Sequence, residues 1–314
     1  MKKCVRRKIS WSHLAVVLVV LMILIGGIFY SGKFVLILLE KPEKVIVADI
    51  YDPSVPGKLD IDLTTNKYLI SRINESENKI VFANNENEKI YPASLTKLMV
   101  LYVTTAYVAN LDEMMVVNYH DQEGLLENDA SVIGLQVNDE ISLRNALYGL
   151  ILNSGGDCAN VIKRYFAEHD MDLLTLMNQE AQELDMKNTH FNNVTGLHDP
   201  NNYTTLFDLN LLGTALLQNA TATEILETYY RQDDGYIFRS TARNYEDLFT
   251  SGPAKIIGGK TGYVVESNLN YFAIVKNSSD QISLVILAGS NIESEYGKNA
   301  HFEDALKILK YCFE

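Results

Sequence analysis

Residues 91–100 read YPASLTKLMV, and this stretch decides how the rest of the chain is read. Pro92 is favoured near a helix start and cannot continue a helix backwards. Leu95, Leu98, Met99 and Leu101 then recur at helical spacing. Residues three apart on a helix are neighbours, so Ser94 and Lys97 are expected to lie side by side. A serine beside an amine that can be held neutral is a nucleophile with its base. At average composition an S-x-x-K pair arises by chance roughly once per 300 residues. The chain holds such a decoy, Ser76-Glu77-Asn78-Lys79, in the polar stretch INESENK. That stretch lacks apolar periodicity and reads as the tip of a hairpin.

Two further motifs follow in order. Ser154-Gly155-Gly156 closes an apolar helical pattern, and Lys260-Thr261-Gly262 ends a strand-like run that passes through Gly258-Gly259. Alone, the first reads as a helix C-terminus and the second as a strand end and turn. S-x-x-K, a Ser-Gly loop and K-T-G in this order resemble the penicillin-recognising serine peptidases and class A β-lactamases. Within that group the chain is similar to the D-alanyl-D-alanine carboxypeptidases, the low-molecular-mass penicillin-binding proteins. IYPASLTKLMV, LYGLILNSGGDCAN, LDMKNTHFNNVTGLHDPNNYTTLFDL and IIGGKTGY carry the likeness, which runs from about Tyr68 to Phe313. A β-lactamase would need a deacylating glutamate in an E-x-x-L-N setting. Glu183 is followed by Leu184-Asp185-Met186-Lys187, so that setting is absent.

The resemblance implies an α+β fold of the β-lactamase/transpeptidase type, an antiparallel sheet covered by helices with an all-helical subdomain. It implies that Ser94 attacks the D-Ala–D-Ala bond of a peptidoglycan stem peptide, with neutral Lys97 taking its proton and Ser154 passing a proton to the leaving amine. Lys260 and Thr261 would hold the terminal carboxylate. The N–H groups of Ser94 and Tyr263 would form the oxyanion hole, and Gly262 completes the substrate-binding motif. β-Lactams would acylate Ser94. No cofactor and no metal are implied. One position departs from the pattern: Gly156 stands where the family usually has an asparagine, which leaves a catalytically silent cell-wall binding or sensor protein as a rival reading. His198 beside Asp199 invites a histidine mechanism, but Asp199-Pro200-Asn201-Asn202 reads as a turn, and His198 as a residue shaping the cleft.

The chain has 314 residues, 47% hydrophobic, with a formal net charge of −13. Residues 1–33 carry six basic residues and no acidic one, so the remainder has 21 basic against 40 acidic residues, a net of −19. So acidic a body lacks the basic footprint of a nucleic-acid binder. Residues 1–13 read as a cytoplasmic basic head and 14–39 as a transmembrane signal anchor. The uncharged run 14–30 alone spans about 25 Å, longer than a signal-peptide core, and GIFYSGK after it is a poor cleavage site. The positive-inside rule then puts the body outside the cell membrane. Residues 40–63, with Pro42, Pro53, Pro56 and Gly57, read as a stalk, and 64–314 as the catalytic body. The C-terminal β domain and amphipathic tail that the family often carries have no counterpart here, which gives anchoring to the N-terminal segment.

Within the body, residues 67–73 and 80–83 read as a hairpin. Residues 141–152, with Ser142 as N-cap, and 204–217, opened by Thr205-x-x-Asp208, read as helices. So do 159–166, 173–184 and 300–313. Residues 254–257, 270–276 and 281–287 read as strands. Cys158 and Cys312 are either a disulfide or two buried free thiols, and Cys4 faces the cytosol. No spacing suits zinc.

Overall fold

The computed structural model describes residues 57–74, 78–243 and 253–313. The basic head, the anchor and residues 40–56 of the stalk lie outside them. In chain order the elements are β1 (Lys67–Ile73), β2 (Asn78–Asn84), α1 (Thr96–Tyr107), β3 (Met114–Val116), β4 (Glu140–Ser142), α2 (Leu143–Leu152), α3 (Gly156–Glu168), α4 (Leu173–Glu183), α5 (Leu206–Leu217), α6 (Ala220–Glu227), β5 (Tyr230–Asp233), β6 (Tyr236–Arg239), β7 (Ala254–Val264), β8 (Asn268–Asn277), β9 (Ile282–Ser290) and α7 (Ala300–Phe313).

Five strands form an antiparallel sheet in the order β2-β1-β9-β8-β7. Side chains alternate across a strand, and here both faces are covered, so the middles of β8 (271–275) and β9 (284–288) are unbroken apolar runs. Phe272, Ile274, Leu284 and Ile286 join the large core with Leu98, Val100 and Leu101 of α1 and Leu209 and Leu212 of α5. Tyr271, Ala273, Val275, Val285 and Leu287 point the other way, onto Phe302, Ala305 and Ile308 of α7. The α+β architecture thus follows from strands that need a helix on each side.

The caps form where the sequence marks them. Ser142 accepts from Asn145 N–H at 3.1 Å and Thr205 from Asp208 N–H at 3.0 Å, each satisfying a donor that a helix leaves unpaired. Three expectations need correction. The central part is not all helical, because β3 and β4 form a small ladder, and β5 and β6 a second. Strands of three or four residues leave too little alternation to be seen. Residues 57–63, read from the sequence as the end of a stalk, pack on the body. Gly57 N–H donates to Val81 O at 3.1 Å, and Leu59, Ile61 and Leu63 pack on the α7 side. The third motif is not a strand end, since β7 runs through it to Val264, with an irregularity between Ile256 and Gly258.

Cys158 and Cys312 are free thiols. Cys158 lies in the core on the α1 side, and Cys312 packs on the α7 side. The sheet between them rules out a bond in this fold.

Candidate active site

Ser94 sits in a short 3-10 turn, Ala93–Leu95, just ahead of α1, not in the α-helix itself. Leu95 N–H donates to Pro92 O at 3.1 Å, which closes the turn. Ala93 has φ +50°, a left-handed conformation unusual for a residue with a side chain. Such strain persists where neighbours fix it, and three do. Asn270 of β8 donates its amide to Tyr91 O at 2.9 Å and to Pro92 O at 3.3 Å. Gly262 of β7 lies so close that a Cβ there would be 2.9 Å from Pro92 O and 3.2 Å from Ser94 N. Gly196 presses on the turn from the other side: its Cβ would be 2.0 Å from Ala93 O.

One helical turn on, Lys97 donates to Ser94 Oγ at 3.0 Å and to the main-chain O of Thr195. Lys97 is 3% exposed. Burial lowers its ammonium pKa from the ordinary 10.5 to about 7, against the opposing pull of Cys158 and the Asp157 carboxylate. The amine is thereby poised to exchange a proton near neutral pH.

Ser154 lies between α2 and α3, with φ +60°. The break is tied by Gly155 N–H to Gly149 O at 2.9 Å and by Gly156 N–H to Ser131 O at 2.7 Å. Lys260 of β7 reaches it, donating to Ser154 Oγ at 2.9 Å and to Thr261 O at 2.7 Å. Lys260 is fully buried, and burial, then the nearby Lys97, hold its pKa well below the usual lysine range. Thr261 Oγ1 is 3.0 Å from Thr241 Oγ1, and Tyr263 is 48% exposed at the end of the strand. Two serine–lysine pairs therefore meet at a buried centre, with β7 along one side. His198 stands outside them, edge-on to Tyr91 at 4.6 Å and 3.8 Å from Glu266 Oε2. The decoy is a different object: Asn78 and Lys79 belong to strand β2, and Ser76 lies outside the described residues.

The family profile described as "D-alanyl-D-alanine carboxypeptidase" matches residues 56–291. The chain belongs to the D-alanyl-D-alanine carboxypeptidase family. Among relatives, the D-alanyl-D-alanine carboxypeptidase DacF of Bacillus subtilis is 25% identical over 245 residues, 77% of this chain and 60% of its own. DacC of Escherichia coli is 28% identical over 245 residues, covering 75% and 58%. The chain thus spans about three fifths of the length of the curated relatives it matches. Among solved structures, the D,D-transpeptidase of Streptomyces K15 superposes with TM-score 0.70 at 22% identity, over 80% of this chain and 97% of that one. Penicillin-binding protein 6B of E. coli gives 0.68 at 23%, over 81% and 78%. These likenesses agree on the fold.

Within the carboxypeptidase family, Gly156 is the departure, and the structure gives a reason for it. A Cβ at 156 would lie 2.9 Å from Leu125 Cδ2 and 3.3 Å from Ser131 O. The segment before α2 occupies the space that a side chain would need. Among the described residues, the buried Oδ1 of Asn153 nearby has no hydrogen-bond partner. Gly156→Asn is therefore expected to destabilise the fold by about 1–3 kcal/mol and to leave penicillin acylation no faster. Thermal melts and stopped-flow acylation check this; faster acylation at an unchanged melting temperature would refute it.

The sequence reading missed Asn270, Thr195 and Gly196. VTGL lay within a stretch that carried the family likeness, and its glycine beside small and polar residues was the available signal. Thr195 acts through its carbonyl, which any residue would supply.

Proposed function

We propose that this chain is a serine-type D-Ala–D-Ala carboxypeptidase that trims the terminal D-alanine from peptidoglycan stem peptides. One observation carries the reading: a nearly fully buried lysine amine, with a pKa of about 7, 3.0 Å from a serine hydroxyl held in a strained turn. Ser94 Oγ attacks the carbonyl carbon of the penultimate residue as neutral Lys97 takes the hydroxyl proton. The amide C–N bond then breaks, and Ser154, backed by Lys260, passes a proton to the departing amine. Water hydrolyses the resulting ester and regenerates Ser94. The N–H groups of Ser94 and Tyr263 serve the oxyanion, and Thr261 with Lys260 the free carboxylate. As an outer strand, β7 offers its backbone to the peptide as one more strand would. β-Lactams, which resemble the D-Ala–D-Ala end, acylate the same oxygen.

The proposal extends to place. The basic head and the uncharged run 14–30 support a single-pass anchor with the body outside the cell membrane, where stem peptides are.

The test is D-alanine release from a D-Ala–D-Ala peptide, together with covalent labelling by a fluorescent penicillin, across pH 5–9. Because Lys97 must be neutral, the acylation rate is expected to rise about tenfold per pH unit below its pKa of about 7 and to flatten above it. A folded protein that neither labels nor releases D-alanine would overturn the reading in favour of a silent binding protein. Labelling followed by rapid loss of the label would point to a β-lactamase.

A further inference from the structure

The base Lys97 is aimed by a carbonyl from a distant turn, and that turn is closed by a side chain. Asn193 Oδ1 accepts from Gly196 N–H at 2.7 Å and from Thr195 Oγ1 at 3.3 Å, while its Nδ2 donates to Leu197 O at 3.0 Å. Asparagine side chains imitate backbone turns in this way. The result is a tight loop, 193–197, whose Thr195 carbonyl meets Lys97 Nζ and whose Gly196 rests on Ala93 O. A second asparagine fastens the same segment to α1. Asn202, 2% exposed, accepts from Asn192 N–H at 3.1 Å and donates to Thr96 Oγ1 at 3.1 Å, one residue before Lys97. A third, Asn178 on α4, exchanges two bonds with the Phe191 backbone, at 2.9 Å and 2.8 Å.

We propose that Asn193 is a positioning residue for the catalytic base: its amide closes the 193–197 turn and thereby holds the Thr195 carbonyl where it directs Lys97 Nζ at Ser94 Oγ. The proposal rests on the carboxypeptidase reading above. Lysine has four rotatable bonds, and a neutral amine in an apolar pocket has no charge to fix it. An acceptor on one side and Ser94 Oγ on the other leave it one productive orientation. The turn also affects the proton affinity of the amine. A carbonyl acceptor favours the ammonium over the amine, so withdrawing it lowers the pKa. The other charged or titratable groups around Lys97 are Asp157 and Cys158 on α3 and Lys260 on β7, and Asn193→Ala and Asn193→Ser alter none of them, whereas Asn193→Asp adds a carboxylate and is read by its rate alone.

The experiment is fluorescent-penicillin acylation of the full-length protein in detergent, followed against pH for wild type, Asn193→Ala, Asn193→Ser and Asn193→Asp. Aspartate keeps the acceptor for Gly196 N–H, and serine keeps a shorter one. Asn193→Ala is expected to acylate on the order of 10–100-fold more slowly on the alkaline plateau, with the acid limb moved to lower pH. Asn193→Asp should recover most of the rate, and Asn193→Ser part of it. Wild-type rates in Asn193→Ala would overturn the proposal. So would a slow plateau with an unmoved acid limb and no recovery in Asn193→Asp, since a purely structural role predicts that. If Asn193→Ala does not fold, the acid limb of Asn193→Ser decides in the same way. An unlabelled wild type would instead sink the enzymatic reading itself.

Discussion

Ser94→Ala is expected to abolish covalent labelling by penicillin and to cut D-alanine release on the order of 10⁶-fold, as loss of the nucleophile does in serine hydrolases. Ser76→Ala should label like wild type. The argument is geometric. Ser94 has a buried amine at 3.0 Å, an adjacent strand brought close by Gly262, and a turn on which Gly196 also rests. Removing one hydroxyl deletes no packing and leaves no buried charge unpaired, since Lys97 keeps its bond to Thr195 O. Ser94→Ala should therefore melt within a few degrees of wild type. Mass spectrometry of the penicillin adduct settles the site: a label that persists in Ser94→Ala, or that moves to Ser154, would refute the assignment.

The second large effect is expected from Gly196→Ala. Gly196 has φ +81°, where an L side chain costs roughly 1–2 kcal/mol. Its Cβ would also fall 2.0 Å from Ala93 O, 2.4 Å from Ala93 C and 2.9 Å from Ser94 N. All three are backbone atoms, so no side chain can swing aside. The nucleophile's turn must move by about an ångström, and a shift of that size costs on the order of 10²-fold in rate. With strain and clash together near 2 kcal/mol or more, the melting temperature should drop by roughly 4–8 °C. Acylation at the wild-type rate would show that the turn yields without consequence and would refute the idea that Gly196 fixes it.

How far the sequence could be read varied with distance along the chain. The caps at Ser142 and Thr205 were legible because each bonds to a donor three residues on. Ser94 and Lys97 were legible for the same reason. The pairing of Lys260 with Ser154 spans 106 residues and that of Lys97 with Thr195 O spans 98. The first could be inferred only through family likeness, and the second left no mark, since a carbonyl belongs to every residue. Gly156 was legible as a departure but not as a fit, because Leu125 and Ser131, which fill its space, come from a segment without periodicity. Helix α6, with eight residues, and the β3–β4 and β5–β6 ladders were too short to show a period.

The outer position of β7 has a cost as well as a use. A strand with an uncovered side is a template for any extended chain, including another copy of itself, and so invites aggregation. Under the proposed function that side would have to stay open for a peptide. The protection comes from elsewhere in the strand. The irregularity between Ile256 and Gly258 breaks the regular ladder, Lys255 places an exposed charge near its start, and Pro92 and Ser94 crowd it at Gly262. Together they leave little of the strand regular enough to pair with a second copy of itself.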